Sequence, residues 1–207
     1  MSNTLDQRDG DYFLELQTQT GWGWTLYGFA RWCDPAPGSL TLDVGCGPGL
    51  LPALFSRFGC IATGVDIDRE MFSPAPLHPR VLVADGIKLP FTPKSFDLIT
   101  ATNLLFLLPD PIPMLVGMKH LLRTGGRLAM LNPSENLNVQ AAMTFAGEQR
   151  LEGLAKSTLF TWARRAEENH RWSEDETRVI FAEAGMKCEA CILKVGPGFG
   201  RFSWGRA

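Results

Sequence analysis

Short apolar runs alternate with amphipathic stretches through the middle of the chain. The short runs predict buried strands, and the amphipathic stretches with helical spacing predict helices. The predicted strands are Leu40–Val44, Ile61–Ile67, Arg80–Ala84, Phe96–Thr102 and Arg127–Leu131. The predicted helices between them are Gly49–Phe58 and Pro111–Leu122. This alternation of strand and helix is typical of a parallel sheet with helices on both faces.

Local signals predict how the last third of the chain folds. Ser173 and Glu176 form a capping box ahead of a helix, and Gly185 lies where that helix would end. Two strand-like runs then flank the turn sequence "GPG", at Lys187–Val195 and Phe199–Arg206. They predict a hairpin at one edge of the sheet.

Two stretches do not fit the alternating pattern, residues 12–33 and residues 134–172. One helical face of the second carries Leu151, Leu154, Ala155, Thr158, Leu159 and Trp162. Together the stretches hold Trp22, Trp24, Trp32, Trp162 and Trp172. Either these side chains pack added helices onto the sheet, or they form an apolar lid over a pocket. We therefore expect one domain, residues 1–207, with an aromatic N-terminal helical cap (residues 1–35) and a helical insertion (residues 134–172).

Composition narrows the function classes. A formal net charge of -2 disfavours a protein that binds nucleic acid, which usually carries a basic excess. No apolar run approaches the ~20 residues needed to cross a bilayer, and the N-terminus shows no signal peptide, so we expect a cytoplasmic protein without membrane insertion. The five cysteines predict no disulfides, and the Cys188/Cys191 pair is interpreted as structural. The histidines show no metal-ligand spacing, so no metal site is predicted.

The sequence "DVGCGPG" follows the first predicted strand and contains Gly45, Gly47 and Gly49. Glycines at the end of a parallel strand let the backbone approach a ligand closely. A dinucleotide fingerprint would place its third glycine at position 50, which is Leu50 here. The shifted third glycine departs from that fingerprint but does not by itself distinguish a dinucleotide from another ligand.

Carboxylates end three successive predicted strands, at Asp43, Asp66 and Asp85. Asp43 could meet a ligand's ammonium group or cap amides of its own loop. Asp66 could accept both hydroxyls of a ribose. Asp85 could accept from an adenine amino group, or could simply form a turn ahead of Gly86. Together they indicate a ligand with an ammonium group, a ribose and an adenine, and no phosphate.

These motifs, with "VLVADGIKLPF" and "SFDLI" following in order, resemble the class I S-adenosylmethionine-dependent methyltransferases over about residues 40–131. The similarity is greatest to the group that includes the quinone-biosynthesis enzymes. It implies an α/β, Rossmann-like doubly wound sheet, mostly parallel with an antiparallel C-terminal hairpin strand and helices on both faces. It also implies S-adenosyl-L-methionine as cofactor and S-adenosyl-L-homocysteine as product. The cofactor-binding residues it implies are Asp43, Gly45, Cys46, Gly47, Gly49, Asp66, Ile67, Asp85, Gly86 and Asn103.

One segment departs from the family pattern. After Asp68 the chain reads "REMFSPAPLHPR", whose prolines shorten the helix expected between the second and third strands. The adenine side of the site would then be more open, or covered by another part of the chain.

The expected reaction is in-line methyl transfer to a small, partly apolar acceptor, because aromatic flanks are typical of pockets for such molecules. The candidate acceptor contacts are Tyr12, Trp22, Tyr27 and Trp162. The alternatives are a methyltransferase for protein or RNA, and a cofactor-binding module without turnover. Asp43 and Leu50 disfavour a nicotinamide oxidoreductase. The acceptor, the general base and the oligomeric state are not predicted.

Overall fold

The computed structural model describes residues 9–73 and 75–206, and the side chains from residue 10 onward. Its helices are α1 Asp9–Gln19, α2 Gly21–Cys33, α3 Leu50–Arg57, α4 Ile112–Leu121, α5 Val139–Glu148, α6 Gly153–Glu168 and α7 Glu174–Glu183. Its strands are β1 Leu40–Val44, β2 Ile61–Asp66, β3 Val81–Val83, β4 Phe96–Thr102, β5 Leu122–Pro133, β6 Lys187–Lys194 and β7 Gly200–Arg206. Short 3₁₀ helices cover Arg69–Phe72 and Leu105–Leu107. The first residues of the predicted N-terminal cap lie outside the described range.

All seven strands form one sheet in the order β3-β2-β1-β4-β5-β7-β6. Strands β1 to β5 are mutually parallel, and β7 runs antiparallel between β5 and β6. The predicted α/β fold, Rossmann-like and mostly parallel with an antiparallel hairpin strand, is confirmed. The chain moves outward from β1 to β3 and then returns to place β4 on the other side of β1. Such a reversal of strand order opens a crevice at the carboxyl ends of the strands.

Helices cover both faces of the sheet, as expected. On one face α4 and α7 contribute Met114, Leu115, Met118 and Phe181 to the largest apolar cluster. On the other face α2 and α3 contribute Phe29, Leu51 and Phe55. Each fully buried side chain of this size stabilises the fold by roughly 2 kcal/mol.

The predicted element ends differ from the structure by a few residues, and most at β5. This strand begins at Leu122 instead of Arg127, because Leu122 pairs with Phe96 before residues 123–126 bulge out and pairing resumes at Arg127 with Leu98. Gly125 and Gly126, which often end a helix, therefore lie within the bulge.

The C-terminal third follows its local signals. The Ser173 side chain accepts from the Glu176 amide and the Glu176 side chain accepts from the Ser173 amide, which is the predicted capping box of α7. Gly185 has a left-handed φ of 71° just past the helix. β6 and β7 form the predicted hairpin.

The insertion contains two helices, of which the sequence pattern predicted α6. Leu151 precedes α6 and is not part of its face. Residues Leu137, Ala142, Ala163, Ala166 and Phe199 form a separate apolar cluster beneath α5 and α6. Buried Arg201 on β7 ties both ends of the insertion to the sheet. Its guanidinium binds the Glu135 carboxylate at 2.7 and 2.8 Å and donates to the Trp172 carbonyl at 3.1 Å.

Within the described part of the chain, no helix has both the length and the apolar character needed to cross a bilayer.

Candidate active site

A cavity of about 510 Å³ opens at the carboxyl ends of the parallel strands. Residues at or just past the ends of β1, β2, β3 and β4 form its floor: Val44, Gly45, Asp66, Ala84, Asp85, Thr102 and Asn103. Helix α1, the start of α2 and helix α6 form its walls: Tyr12, Phe13, Leu16, Gln17, Trp22, Thr158, Thr161, Trp162 and Arg165. The cavity therefore lies at the point where strand order reverses.

The glycine loop gives the cavity a backbone surface. Gly45 and Gly47 line it and have φ values of 73° and 52°, a region that side chains other than glycine rarely adopt. Gly49 caps α3 and does not line the cavity; a Cβ there would lie 3.3 Å from Val81. Of the three predicted glycines, two reach the cavity and the third fixes the start of α3.

Asp66 holds the glycine loop in place while it lines the cavity. Its Oδ2 accepts from the Gly47 amide at 2.8 Å, and its Oδ1 accepts from the Asp68 amide at 3.0 Å. Burial raises the pKa of Asp66, and the hydrogen bonds from the amides of Asp68 and Gly47 oppose that shift. Both carboxylate oxygens are thereby fixed in direction, with lone pairs left for a ligand.

Asp43 lies beneath the loop and does not line the cavity. It is 1% exposed, and its Oδ1 accepts from the Thr100 hydroxyl at 2.7 Å. Among the described residues no amide of its own loop donates to it, so Thr100 takes the place of the predicted alternative cap. Burial raises the pKa of Asp43 to about 7, against the Thr100 hydrogen bond, which lowers it.

Asp85, Gly86 and Ile67 line the cavity on the side of β2 and β3. The Ile87 amide donates to Asp85 Oδ1 at 2.9 Å, which is the turn that the sequence left open as an alternative. A Cβ at Gly86 would lie 2.8 Å from Met114 Cε, so the chain packs closely here. Ile67 is 70% exposed and offers an apolar surface to a ligand.

The structure does not bring Cys46 to the cavity. Its side chain is buried below the loop, and its thiol donates to the Gly47 carbonyl at 3.4 Å. Burial raises the pKa of Cys46, and the nearby Asp43 and Asp66 carboxylates raise it further. Cys46 was expected among the cofactor-binding residues, and these features indicate instead a small buried residue that supports the loop.

Three of the four candidate acceptor contacts meet at the cavity wall, Tyr12, Trp22 and Trp162. The Trp162 Nε1 donates to Asn103 Oδ1 at 3.1 Å, and the rings of Trp22 and Trp162 meet edge to face at 5.4 Å. Asn103 has a left-handed φ of 52°, which turns the chain at the end of β4.

Tyr27 is not brought to the cavity. It lies on the outside of α2, where its ring contacts the rings of Trp24 and Phe58. The expected acceptor contact at Tyr27 therefore finds no support in its position, because α2 turns that face away from the cavity.

The tryptophans divide between the two interpretations of the aromatic segments. Trp22 and Trp162 line the cavity, as an apolar lid requires. Trp32 packs on Phe202, and Trp172 joins the apolar core. Trp24 is 77% exposed and fits neither interpretation.

Sequence reasoning missed Gln17, Arg165 and the apolar wall contributed by Leu104, Phe106, Leu107 and Leu108. Gln17 is buried, its Oε1 accepts from the Leu50 amide at 3.3 Å, and a Cβ on Gly47 would lie 3.4 Å from its Nε2. The sequence could have indicated Gln17, because it shares a helix face with Phe13 and Leu16 and is a polar residue there. The signal for the wall was the run "LLFLL" directly after β4.

The family of methyltransferase domains matches residues 42–130, the stretch from β1 into β5 that carries the glycine loop and the three strand-end carboxylates. Residues 42–130 are thus similar to known methyltransferase domains, in agreement with the resemblance to the class I S-adenosylmethionine-dependent methyltransferases. S-adenosylmethionine is accordingly the cofactor that the domain implies.

Relatives of the methyltransferase domain include enzymes named for quinone biosynthesis. The ubiquinone biosynthesis O-methyltransferase of Aeromonas salmonicida is 29% identical over 132 residues, which is 58% of this chain and 54% of that protein. The enzyme of the same name from Xanthomonas campestris is 35% identical over 101 residues, 44% of this chain and 42% of that protein. The chain thus spans about half the length of the curated relatives it matches.

Solved structures share the fold of the methyltransferase domain. A chain in the complex between the Haloferax volcanii Trm112 methyltransferase activator and a methyltransferase has a TM-score of 0.71 at 18% identity, covering 100% of this chain and 99% of that chain. The magnesium protoporphyrin IX methyltransferase of Synechocystis PCC 6803 with bound S-adenosylhomocysteine has a TM-score of 0.63 at 18% identity, covering 90% and 84%. At these identities the likeness concerns the fold alone.

Proposed function

We propose that the protein transfers the methyl group of S-adenosylmethionine to a small, partly apolar acceptor. The observation that carries this proposal is one continuous cavity with two unlike halves. The floor at the strand ends offers backbone and carboxylate groups, and the walls offer aromatic and aliphatic side chains. A polar nucleoside and an apolar acceptor require these two surfaces side by side.

The residues present fit the cofactor. Asp66 would accept from the ribose hydroxyls, Ile67 would pack on the adenine, and Asp85 with Gly86 would meet the adenine edge. The glycine loop at Gly45 and Gly47 would accommodate the methionine end, where no side chain blocks the backbone. Asn103 would lie beside the reacting methyl group.

The buried residues below the loop would act indirectly. Asp43 would attract the cofactor's ammonium group through the loop or through water, since a buried carboxylate is stabilised by a nearby positive charge. Cys46 and Gly49 would maintain the shape of the loop and of the start of α3.

When bound, S-adenosylmethionine supplies an electrophilic methyl group and leaves as S-adenosylhomocysteine. The chain's part is to orient the acceptor and to exclude water, which together lower the barrier of an in-line displacement. Trp22 and Trp162 would form the apolar cover, and Tyr12 would contact the acceptor from α1. The hydrogen bond from Trp162 to Asn103 would couple that cover to the cofactor side.

A small-molecule acceptor draws further support from the names of the relatives, which are ubiquinone biosynthesis O-methyltransferases. The net charge of -2 also gives little attraction for nucleic acid. A protein or RNA acceptor, and cofactor binding without turnover, are the alternatives that an experiment must separate.

The test is incubation of the protein with S-adenosyl-[methyl-³H]methionine and, in parallel, small-molecule, RNA and protein fractions of a cell extract. We expect a labelled product other than S-adenosylmethionine in the small-molecule fraction, together with formation of S-adenosylhomocysteine. Asp66→Ala should weaken cofactor binding at least about tenfold, because it removes the ribose acceptor and the bond to the Gly47 amide. His120→Ala is the control, since His120 is exposed at the end of α4 and away from the cavity.

Label in the RNA or protein fraction would contradict the proposed acceptor class. Binding of S-adenosylmethionine with no labelled product in any fraction would favour the module without turnover.

A further inference from the structure

Helix α6 presents one face to the cavity, and the last lining residue on that face is the basic Arg165. The residues of α6 that line the cavity are Thr158, Thr161, Trp162 and Arg165. Thr158, Trp162 and Arg165 are spaced four and three residues apart, which places them on one side of the helix. Thr161 is adjacent to Trp162 on the same side. Trp162 is fixed by its bond to Asn103, so this face of α6 has a defined orientation toward the end of β4.

Arg165 is the only basic side chain among the described residues that line the cavity. Within residues 9–73 and 75–206 its guanidinium makes no ion pair and donates no hydrogen bond, and only its carbonyl is used, by Asn169. The two lining carboxylates, Asp66 and Asp85, accept from backbone amides at the ends of β2 and β3 and form no ion pair with Arg165. The cation therefore faces the cavity without a partner from the described part of the protein.

The surroundings of Arg165 favour a charged partner. The cavity wall beside α6 is apolar, formed by Leu104, Phe106, Leu107 and Leu108. Arg165 is itself exposed, and hydrogen bonds between a guanidinium and an anionic oxygen are among the strong polar contacts. Thr158 adds a second polar group on the same face, since its buried Oγ1 has no hydrogen-bond partner among the described residues.

The cofactor's own carboxylate is a competing anion for Arg165. Gln17 offers that carboxylate a donor beside the glycine loop, because its Oε1 is bound to the Leu50 amide and its Nε2 would lie 3.4 Å from a Cβ on Gly47. Arg165 lies almost one turn beyond Trp162 along α6, on the insertion and not on the glycine loop. The two anions are thus assigned to different donors.

We infer that the acceptor carries an anionic oxygen group, a carboxylate or a phosphate, on an apolar body, and that Arg165 binds this group. This inference rests on the proposed function, since it names the class of molecule that the same cavity methylates. The apolar body would pack against the apolar wall described above and against the rings of Trp22 and Trp162.

The test is calorimetric titration of the protein saturated with S-adenosylhomocysteine, using 2-naphthoate, 2-naphthyl phosphate and 2-naphthamide as probes. The anionic probes share an aromatic body with the neutral amide, and comparing them distinguishes a carboxylate from a phosphate. We expect at least one anionic probe to bind about tenfold more tightly than the amide. Arg165→Gln should remove this preference and leave the affinity for S-adenosylhomocysteine unchanged.

Arg164→Gln is the matched control, because it removes the same charge from an adjacent exposed residue that does not line the cavity. It should retain the preference for the anionic probe. Equal binding of all three probes to the wild-type protein would overturn the inference. A loss of S-adenosylhomocysteine affinity in Arg165→Gln would also overturn it and would assign Arg165 to the cofactor. Failure of S-adenosylhomocysteine to bind the wild-type protein would instead contradict the proposed function.

Discussion

Two carboxylates at neighbouring strand ends, Asp43 and Asp66, are held in opposite ways. Asp66 accepts from two backbone amides and faces the cavity. Asp43 is fully enclosed and has the Thr100 hydroxyl as its hydrogen-bonding partner among the described residues. Burial of a carboxylate with so little compensation disfavours its charged form, which is why the pKa of Asp43 rises to about 7. A positively charged ligand above the loop would offset part of the free-energy cost of burying the ionised Asp43 carboxylate.

The replacement Asp43→Asn should change how stability depends on pH. The folded-state pKa of Asp43, about 7, is above its ordinary value of 3.8, so the folded protein binds the proton more tightly than the unfolded chain does. Wild-type stability therefore decreases as the pH rises between these two values, and the uncharged amide of the variant removes that decrease. Relative to wild type, the variant should gain about 3 kcal/mol in free energy of unfolding from pH 5 to pH 8.

Urea unfolding of both proteins without cofactor, at pH 5 and at pH 8, measures this difference. If the difference in free energy of unfolding between the two proteins is the same at both pH values, Asp43 is ionised in the folded protein throughout this range. Folding would then bind no proton at Asp43.

At the scale of elements, α1 takes the place of the helix that the family pattern has between β2 and β3. In that connection the prolines predicted a shortened helix, and the structure has the 3₁₀ helix Arg69–Phe72 and, among the residues described there, no α-helix. α1 packs against this short helix so closely that a Cβ on Gly10 would overlap the Glu70 carbonyl. The side of the cavity at β2 and β3, where the adenine is proposed to bind, is therefore covered by α1, which is one of the two outcomes that the sequence left open.

Gln17 connects α1 to the glycine loop, and its loss should affect the cofactor. Gln17→Ala removes the bond to the Leu50 amide and the Nε2 group beside Gly47. We expect a decrease of about tenfold in affinity for S-adenosylhomocysteine, since a buried amide is left without its partner. Gln19→Ala, an exposed position on the same helix, should bind normally in the same calorimetric titration. Normal binding by Gln17→Ala would show that α1 covers the site without contributing to it.

Elements defined by local pattern could be predicted, and their tertiary partners could not. The strands, the capping box at Ser173 and the hairpin follow from periodicity and turn chemistry within a few residues of sequence. The position of Gln17 against Leu50 and the ion pair of Arg201 with Glu135 join distant segments. No local signal specifies which distant partner a side chain will meet.

The same limit explains the aromatic residues of the site. Helical spacing placed Trp162 on a buried face, but it did not show that Asn103 would accept from its indole. Tyr27 and Trp22 lie on the same helix, and only the packing of α2 on α3 decides which of them reaches the cavity. The strand-end floor of the cavity was more predictable, because glycines and carboxylates at strand ends meet at one edge in any parallel sheet.

At the scale of the whole molecule, one sheet organises both halves of the cavity. The strand-end floor belongs to residues 42–130, the part that matches the methyltransferase domain. The walls from α1, α2 and α6 lie outside that match, and the apolar wall of Leu104, Phe106, Leu107 and Leu108 lies within it. The matched region thus supplies the strand-end floor and one apolar wall, and the added helices supply the remaining walls of the cavity.

The most direct test of this account is parallel calorimetric titration of the purified protein with S-adenosylmethionine, S-adenosylhomocysteine and NADH. We predict that both sulfur nucleosides bind with dissociation constants on the order of micromolar and that NADH does not bind. Binding of NADH without either sulfur nucleoside would contradict the account, and Asp43, Asp66 and Asp85 would then have to be reassigned as structural residues.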